Sequence, residues 1–315
     1  MDGARSQLRP SDLGNPDWYN DPMETDLHLV GYRMMCVEDA VLVPPRSVDF
    51  GLTRVHLLLA SLPRHEGARM VATTANEFRV ETGSWSTTPM GPHALIVTPA
   101  RVDGVRQPEP EVRDRIAATV GLLNAWQGPN VTYEKVTEFE VSVGGDTVTT
   151  WSSAVRSPAS MRSPELDDLE LARLSSAVQG LADLPDGQRN RTLLSLRWFE
   201  RGTDGDGIDA FLRLWIAIET LAMPDTTNIS PLVSLLASSY GISAKEVQGR
   251  FAVGRVFGLR GAIVHSGKRP SVTGVFLDFV AAIYTDALMA TLGIAQSRRA
   301  EEVLRTSPID PLAGI

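Results

Sequence analysis

A single cysteine, Cys36, is all the thiol chemistry in this 315-residue chain. An intramolecular disulfide framework is thereby excluded, and a reducing compartment fits. Cys36 lies in the apolar run from Arg33 to Val37, which predicts a buried structural thiol rather than a nucleophile. Lysine is nearly as scarce, with Lys135, Lys245 and Lys268 set against 27 arginines, a bias that reads as genomic composition rather than a phosphate-binding device. No segment reaches the roughly 18 uninterrupted apolar residues of a membrane span. The first ten residues also lack the apolar core of a signal peptide, so the expected location is cytoplasmic, with no membrane partner. No phosphate-cradling Gly-rich loop, Ser-centred nucleophile elbow or paired metal-binding motif is present. His28, His56, His65 and His93 are scattered without ligand spacing, and no metal or cofactor is expected.

Positive charge is the next deficit. The net charge is −8; residues 1–160 carry 14 basic and 20 acidic side chains, and residues 161–315 carry 16 and 18. Neither half forms a surface that binds nucleic acid by charge alone, so no DNA binding is expected. Contact with RNA would have to be local, or built by assembling two copies. The chain is 43 % apolar and 22 % charged, an ordinary globular composition, and long enough for two domains.

The pattern along the chain changes character once. Residues 1–25, with Pro10, Gly14, Pro16 and Pro22, read as an irregular lead-in. From 26 to 155 the pattern predicts a β-rich domain. Its candidate strands are 27–35, 40–43, 55–60, 68–73, 78–82 and 93–98, then 131–143 and 147–151 about a Gly144-Gly145-Asp146 hairpin turn. One helix interrupts them, with Ile116, Val120, Leu123 and Trp126 at three- and four-residue spacing.

Beyond a junction at 152–164, helical periodicity takes over through 165–295. Ser163 and Pro164 predict a helix start. A second helix spans 187–200, and a third, Ile208 to Met223, is apolar nearly all round and belongs in the centre of a bundle. A fourth runs through Leu232 and Leu236. A fifth starts near Ser243 and carries Val247, Phe251, Val253, Val256 and Leu259 forward, and a last one spans Val275 to Leu292. Residues 296–315 read as a charged, Pro-interrupted tail. The loop holding Asp204 and Asp206 superficially resembles the start of a calcium loop, but the twelfth position would be Trp215, which supplies no ligand. A helix–helix turn is the simpler reading.

One constellation carries chemistry. Arg260 and His265 are five residues apart, after an amphipathic helix and before the Ser266-Gly-Lys-Arg-Pro270 break, and Glu219 is the one acidic residue in the apolar stretch from Leu212 to Leu221. The Leu-Trp-Ile-Ala-Ile-Glu219-Thr-Leu helix, the Arg260…His265-Ser-Gly ending and the closing apolar helix together resemble the Apea-like branch of the HEPN family, over residues 165–295 only. The resemblance implies an all-α bundle after the β-rich domain, α+β overall, and a homodimer through the helical domain. It also implies metal-independent cleavage of RNA in a bacterial stress or phage-defence setting. His265 would serve as general acid or base and Arg260 would hold the scissile phosphate, with Glu219 in support.

The residue after the arginine, commonly polar in active members, is Gly261 here. The alternative reading is a non-catalytic dimerisation or binding module with an N-terminal sensing domain, in which Arg260, His265 and Glu219 form a buried network that fixes the bundle. Geometry sharpens the choice. Residues five apart on an ideal helix diverge by about 140°. The two side chains therefore converge only if the helix ends or distorts near residue 265, or if they meet across a dimer.

Overall fold

A computed structural model describes residues 26–36, 46–60, 62–74, 77–87, 91–102, 105–127, 131–142, 150–151, 168–203, 205, 207–294 and 298–313. The chain is α+β, with an N-terminal antiparallel sheet and a mostly helical C-terminal half. It divides into two compact units, residues 1–116 with 132–171, and residues 117–131 with 172–315. The 40–43 strand, the Gly144–Asp146 turn, the Ser163-Pro164 helix start and the Asp204 and Asp206 side chains lie outside the described residues, as does the side chain of Cys36.

The first unit is organised by a six-stranded sheet. Its strands are β1 (Asp26–Cys36), β2 (Arg46–Phe50), β3 (Thr53–Ala60), β6 (Gly91–Pro99), β9 (Val131–Ser142) and β10 (Thr150–Trp151), in the order β10-β9-β1-β6-β3-β2. Between β3 and β6 runs a separate hairpin of β4 (Pro63–Thr74) and β5 (Glu77–Thr87). The two short apolar runs at 68–73 and 78–82 are thus the middle of longer paired strands. A two-residue pair, β7 (Arg101–Val102) with β8 (Val105–Arg106), leads into helix α1 (Glu109–Gln127).

Register fixes which side chains share a face. His28, Val30 and Tyr32 pair with Thr98, Ile96 and Ala94, and the same face continues to Thr53, Val55 and Leu57 on β3. Gly31 and Arg33 pair with Leu95 and His93 on the opposite face, which also carries His56 and Leu58. Both faces are covered, and so β6 is buried from Gly91 to Thr98 and reads as a continuous apolar run rather than an alternating one. On the first face Arg115 of α1 donates to Thr98 Oγ1 at 3.1 Å and to the Pro99 carbonyl at 2.7 Å.

The second unit holds residues 117–131, with the second half of α1, and, among the described residues, eight further helices, the first of which enters it at Ala172. They are α2 (Asp168–Asp183), α3 (Asp186–Thr203), α4 (Gly207–Ala222), α5 (Ser230–Tyr240), α6 (Ala244–Phe251), α7 (Val253–Ser266), α8 (Gly274–Thr291) and α9 (Arg299–Thr306). Its core is aliphatic and aromatic, with Phe199, Phe211, Trp215, Phe251, Phe279 and Tyr284 all sealed from solvent. Each such side chain contributes on the order of 2 kcal/mol of burial. Phe199 stacks on Tyr284 with ring centroids 4.2 Å apart. A β-carbon on Gly121 would lie 2.2 Å from the Leu196 carbonyl oxygen, so the close approach of α1 to α3 depends on glycine.

Helix α8 is long and apolar enough to cross a membrane, the one such helix among the described residues. Of it, 67 % is buried inside the protein, as a core helix would be.

The structure departs from two expectations. The single fifth helix is two, α6 and α7, broken at Ala252, whose φ of 47° is left-handed. Gln248 makes the break tolerable. Its carbonyl accepts from the Ala252 N–H at 3.1 Å and its side chain from the Gly254 N–H at 3.0 Å. The tail is not wholly irregular either: α9 forms because Asp286 of α8 accepts from the backbone N–H groups of Arg299 and Ala300, both at 2.9 Å, capping α9 from another helix.

Candidate functional site

The constellation is assembled by two helices of the second unit. Apolar spacing on α4 buries Phe211, Leu214, Trp215 and Ile218, and this carries Glu219, one turn beyond Trp215, to the margin of the core. On α7, Val253 and Val256 are buried, Phe257 is half-buried, and Arg260 follows one turn later at the same margin. Two contacts then zip the helices together. The Trp215 and Phe257 rings lie 6.0 Å apart in a tilted arrangement. One turn further along each helix, Arg260 meets Glu219 through Nε–Oε1 at 3.3 Å and Nη2–Oε2 at 3.4 Å. The Trp215 Nε1–H donates to the same Oε1 at 2.8 Å.

The Arg260 and Glu219 side chains retain 28 % and 25 % exposure, so this is a marginal pair and not a sealed core network. Solvent screening holds its contribution to stability to about 1 kcal/mol or less.

His265 occupies the last turn of α7 and is exposed, with no side-chain hydrogen bond or ion pair among the described residues. The helix stays regular through it and stops at Gly267, whose φ of 63° only glycine adopts readily. The Gly267 N–H donates to the Ile263 carbonyl and the Lys268 N–H to that of Ala262, both at 3.2 Å. The sequence thus placed the end of the helix, but the ending comes after His265 and does not bend it toward Arg260. Within one chain the two residues leave the helix about 140° apart. The structure brings Glu219 and Arg260 together and leaves His265 apart from them.

Two features escaped the sequence reading. Trp215 looked like core, and its indole N–H only gains meaning from the position of Glu219 four residues on. The second is local charge. From Val247 to Leu277 the chain has no acidic residue but carries Arg250, Arg255, Arg260, Lys268 and Arg269, an island hidden by averaging over half of an acidic chain. Arg250 is engaged by Glu301 of α9, whereas Lys268 and Arg269 are exposed just past His265.

The sheet unit places the other titratable groups. His28 Nε2 lies 2.9 Å from Glu138 Oε1, and Lys135 Nζ donates to Oε2 at 3.0 Å. Burial pushes the Glu138 carboxyl up, but the hydrogen bonds from His28 and Lys135 and the lysine charge outweigh it and hold the group at about 2. His56 Nδ1 meets Ser47 Oγ at 2.8 Å, and burial, aided by the Arg54 charge, lowers its pKa to about 4. His28 projects on one face of the sheet and His56 and His93 on the other. Among the described residues no three His, Cys, Asp or Glu side chains gather as metal ligands.

No family model matches the chain, and neither the curated proteins nor the solved structures contain a match to it.

Proposed function

We propose that the helical unit is a HEPN-type, metal-independent endoribonuclease acting on single-stranded RNA as a homodimer, in a bacterial stress or phage-defence role. The observation that carries the reading is a half-exposed arginine held along one edge by a carboxylate, on the same helix as an exposed last-turn histidine. A guanidinium so held can bind a phosphodiester without first reorganising. The acid-free segment around it supplies local positive charge within an acidic chain.

Divergence of Arg260 and His265 on a regular helix favours a cleft shared by two copies, with the arginine of one α7 facing the histidine of the other. The C-terminal half of α7 offers a surface for this. Leu259, Ala262 and Ile263 are only partly covered and Val264 is 51 % exposed. In the reaction His265 takes the proton of the ribose 2′-OH as O2′ attacks phosphorus. The bond from phosphorus to O5′ breaks, and O5′ receives a proton from a protonated His265, which the dimer supplies twice. Arg260 neutralises the charge on the non-bridging oxygens. The products are a 2′,3′-cyclic phosphate and a 5′-hydroxyl.

The test is cleavage of labelled single-stranded RNA in EDTA by wild type, Arg260→Ala and His265→Ala. Each substitution should lower the rate by at least about a hundredfold with the fold intact. Cleavage surviving both would overturn the site. The apolar Gly-Ala-Ile-Val stretch after Arg260, which lacks a polar neighbour for it, favours a second reading as a non-catalytic dimerisation module beside an N-terminal sensing domain. Stable dimers by sedimentation with no cleavage of any RNA tested would select it.

A further inference from the structure

We infer that Trp215 is a positioning residue for Arg260, acting through Glu219. This rests on the ribonuclease reading above and deepens it by assigning which edge of the guanidinium meets the substrate.

The order of contacts carries the inference. Glu219 Oε1 receives the Trp215 indole N–H at 2.8 Å and lies 3.3 Å from Arg260 Nε, while Oε2 faces Nη2 at 3.4 Å. Trp215 and Glu219 are four residues apart on α4, so the indole and the carboxylate share one helix face. The indole is fully buried, and its ring is braced by Phe257, three residues before Arg260 on α7. An indole has one donor and no acceptor, and a ring clamped this way can aim that donor in only one direction. A glutamate at the margin of a core would otherwise sample several rotamers. The N–H selects one of them.

The selected carboxylate faces the guanidinium side-on, with Oε2 accepting from one Nη2–H and Oε1 in ion-pair contact with Nε. Of the five donors, the second Nη2–H and both on Nη1 remain, and one from each nitrogen forms the end-on edge. That edge is itself a fork matched to two phosphate oxygens. Glu219 therefore directs Arg260 rather than consuming it, and Trp215 directs Glu219. A carboxylate that merely masked the arginine would behave in the opposite way, since its removal would free the cation for substrate.

The experiment uses the full-length protein with Trp215→Phe, Glu219→Ala and the double variant. In a parallel protein, position 215 carries 3-benzothienylalanine, which keeps the bicyclic ring and lacks only the N–H. On labelled single-stranded RNA in EDTA, loss of the N–H should lower kcat about tenfold with KM changed by less than about twofold. Introduced into Glu219→Ala, Trp215→Phe should cost nothing further, because both remove one chain of contacts. Additive losses would show a ring that only props the helices, and overturn the inference. A rise in activity in Glu219→Ala would overturn it in favour of masking. Solvent exchange of the Arg260 Nε–H, followed by 15N NMR, reads the same geometry without any RNA. It should speed about tenfold in the benzothienylalanine protein, approaching Glu219→Ala. If wild type cuts no RNA, the ribonuclease reading fails, and this exchange rate still decides the positioning: an unchanged rate overturns it.

Discussion

The two units treat buried charge differently. Among the described residues the sheet unit buries six acidic, basic or imidazole side chains, Asp26, His28, Arg33, His56, His93 and Glu138, while the helical unit buries one, Asp286. In the sheet they lie within strands, and several are answered by cross-strand or near neighbours, as Glu138 answers His28 and Ser47 answers His56. In the bundle the single buried carboxylate is structural, and the chemically suggestive residues stand at the margin of the core. Proton-linked stability should therefore reside in the first unit, and RNA chemistry in the second. A buried charge makes a fold depend on pH, whereas a marginal one remains free to meet a ligand.

The largest expected effect tests the exception. Asp286 accepts from the Tyr240 hydroxyl and from the N–H groups of Arg299 and Ala300. Burial and the Asp286 charge push the Tyr240 hydroxyl far above its ordinary range, so it stays a neutral donor. Asp286→Ala leaves three donors without that acceptor and should cost about 4 kcal/mol in urea unfolding. Hydrogen exchange should quicken first in α9. Loss spread evenly over the bundle would show that Asp286 does more than hold α9.

The next effect belongs to the sheet and depends on pH. The folded pKa of His56, about 4, lies below its unfolded value of about 6.5. The unfolded chain therefore binds the extra proton, and stability present above pH 6.5 is lost as pH falls towards 4. Glu138, at about 2 when folded, extends the loss from about 4.5 downward, because its ionised form is the one the fold favours. Each step is worth on the order of 3 kcal/mol. Urea melts across this range should show both, and His56→Leu should flatten the upper window alone. A flat profile between pH 6.5 and 4 in the wild type would remove the contrast between the units.

Much of this contrast was legible in the sequence. The change from period-two to helical periodicity marks the passage from sheet to bundle, and the buried strand at 93–98 and the core helix around Trp215 follow from unbroken apolar runs. The break at Ala252 was not legible, since apolar periodicity continues through Phe251 and Val253 and the determinant is a side-chain amide, Gln248, four residues back. Helix α9 was hidden for a similar reason, its cap coming from Asp286, thirteen residues earlier and on another helix. At the site, the spacing of Arg260 and His265 could be read and so could the acidity of Glu219. The hydrogen bond joining Trp215 to the set could not, because an apolar helix offers no sign of which way one indole points.

Smaller effects separate packing from charge within the bundle. Gly121→Ala would set a methyl against the Leu196 carbonyl and force α1 away from α3, costing about 2 kcal/mol. Arg260→Ala removes a charge from the proposed site, yet should lower stability by less than about 1 kcal/mol, since the pair it breaks is open to solvent. The Glu219 carboxylate left behind can hydrate and keeps the Trp215 N–H. This smallest stability effect is the sharpest test of the comparison. A residue that carries function at the margin of a core should be nearly silent in unfolding and loud in RNA cleavage. If Arg260→Ala instead unfolds the bundle by 3 kcal/mol or so, as breaking a buried pair does, the constellation is structural, and the second unit would resemble the first in spending its charges on the fold.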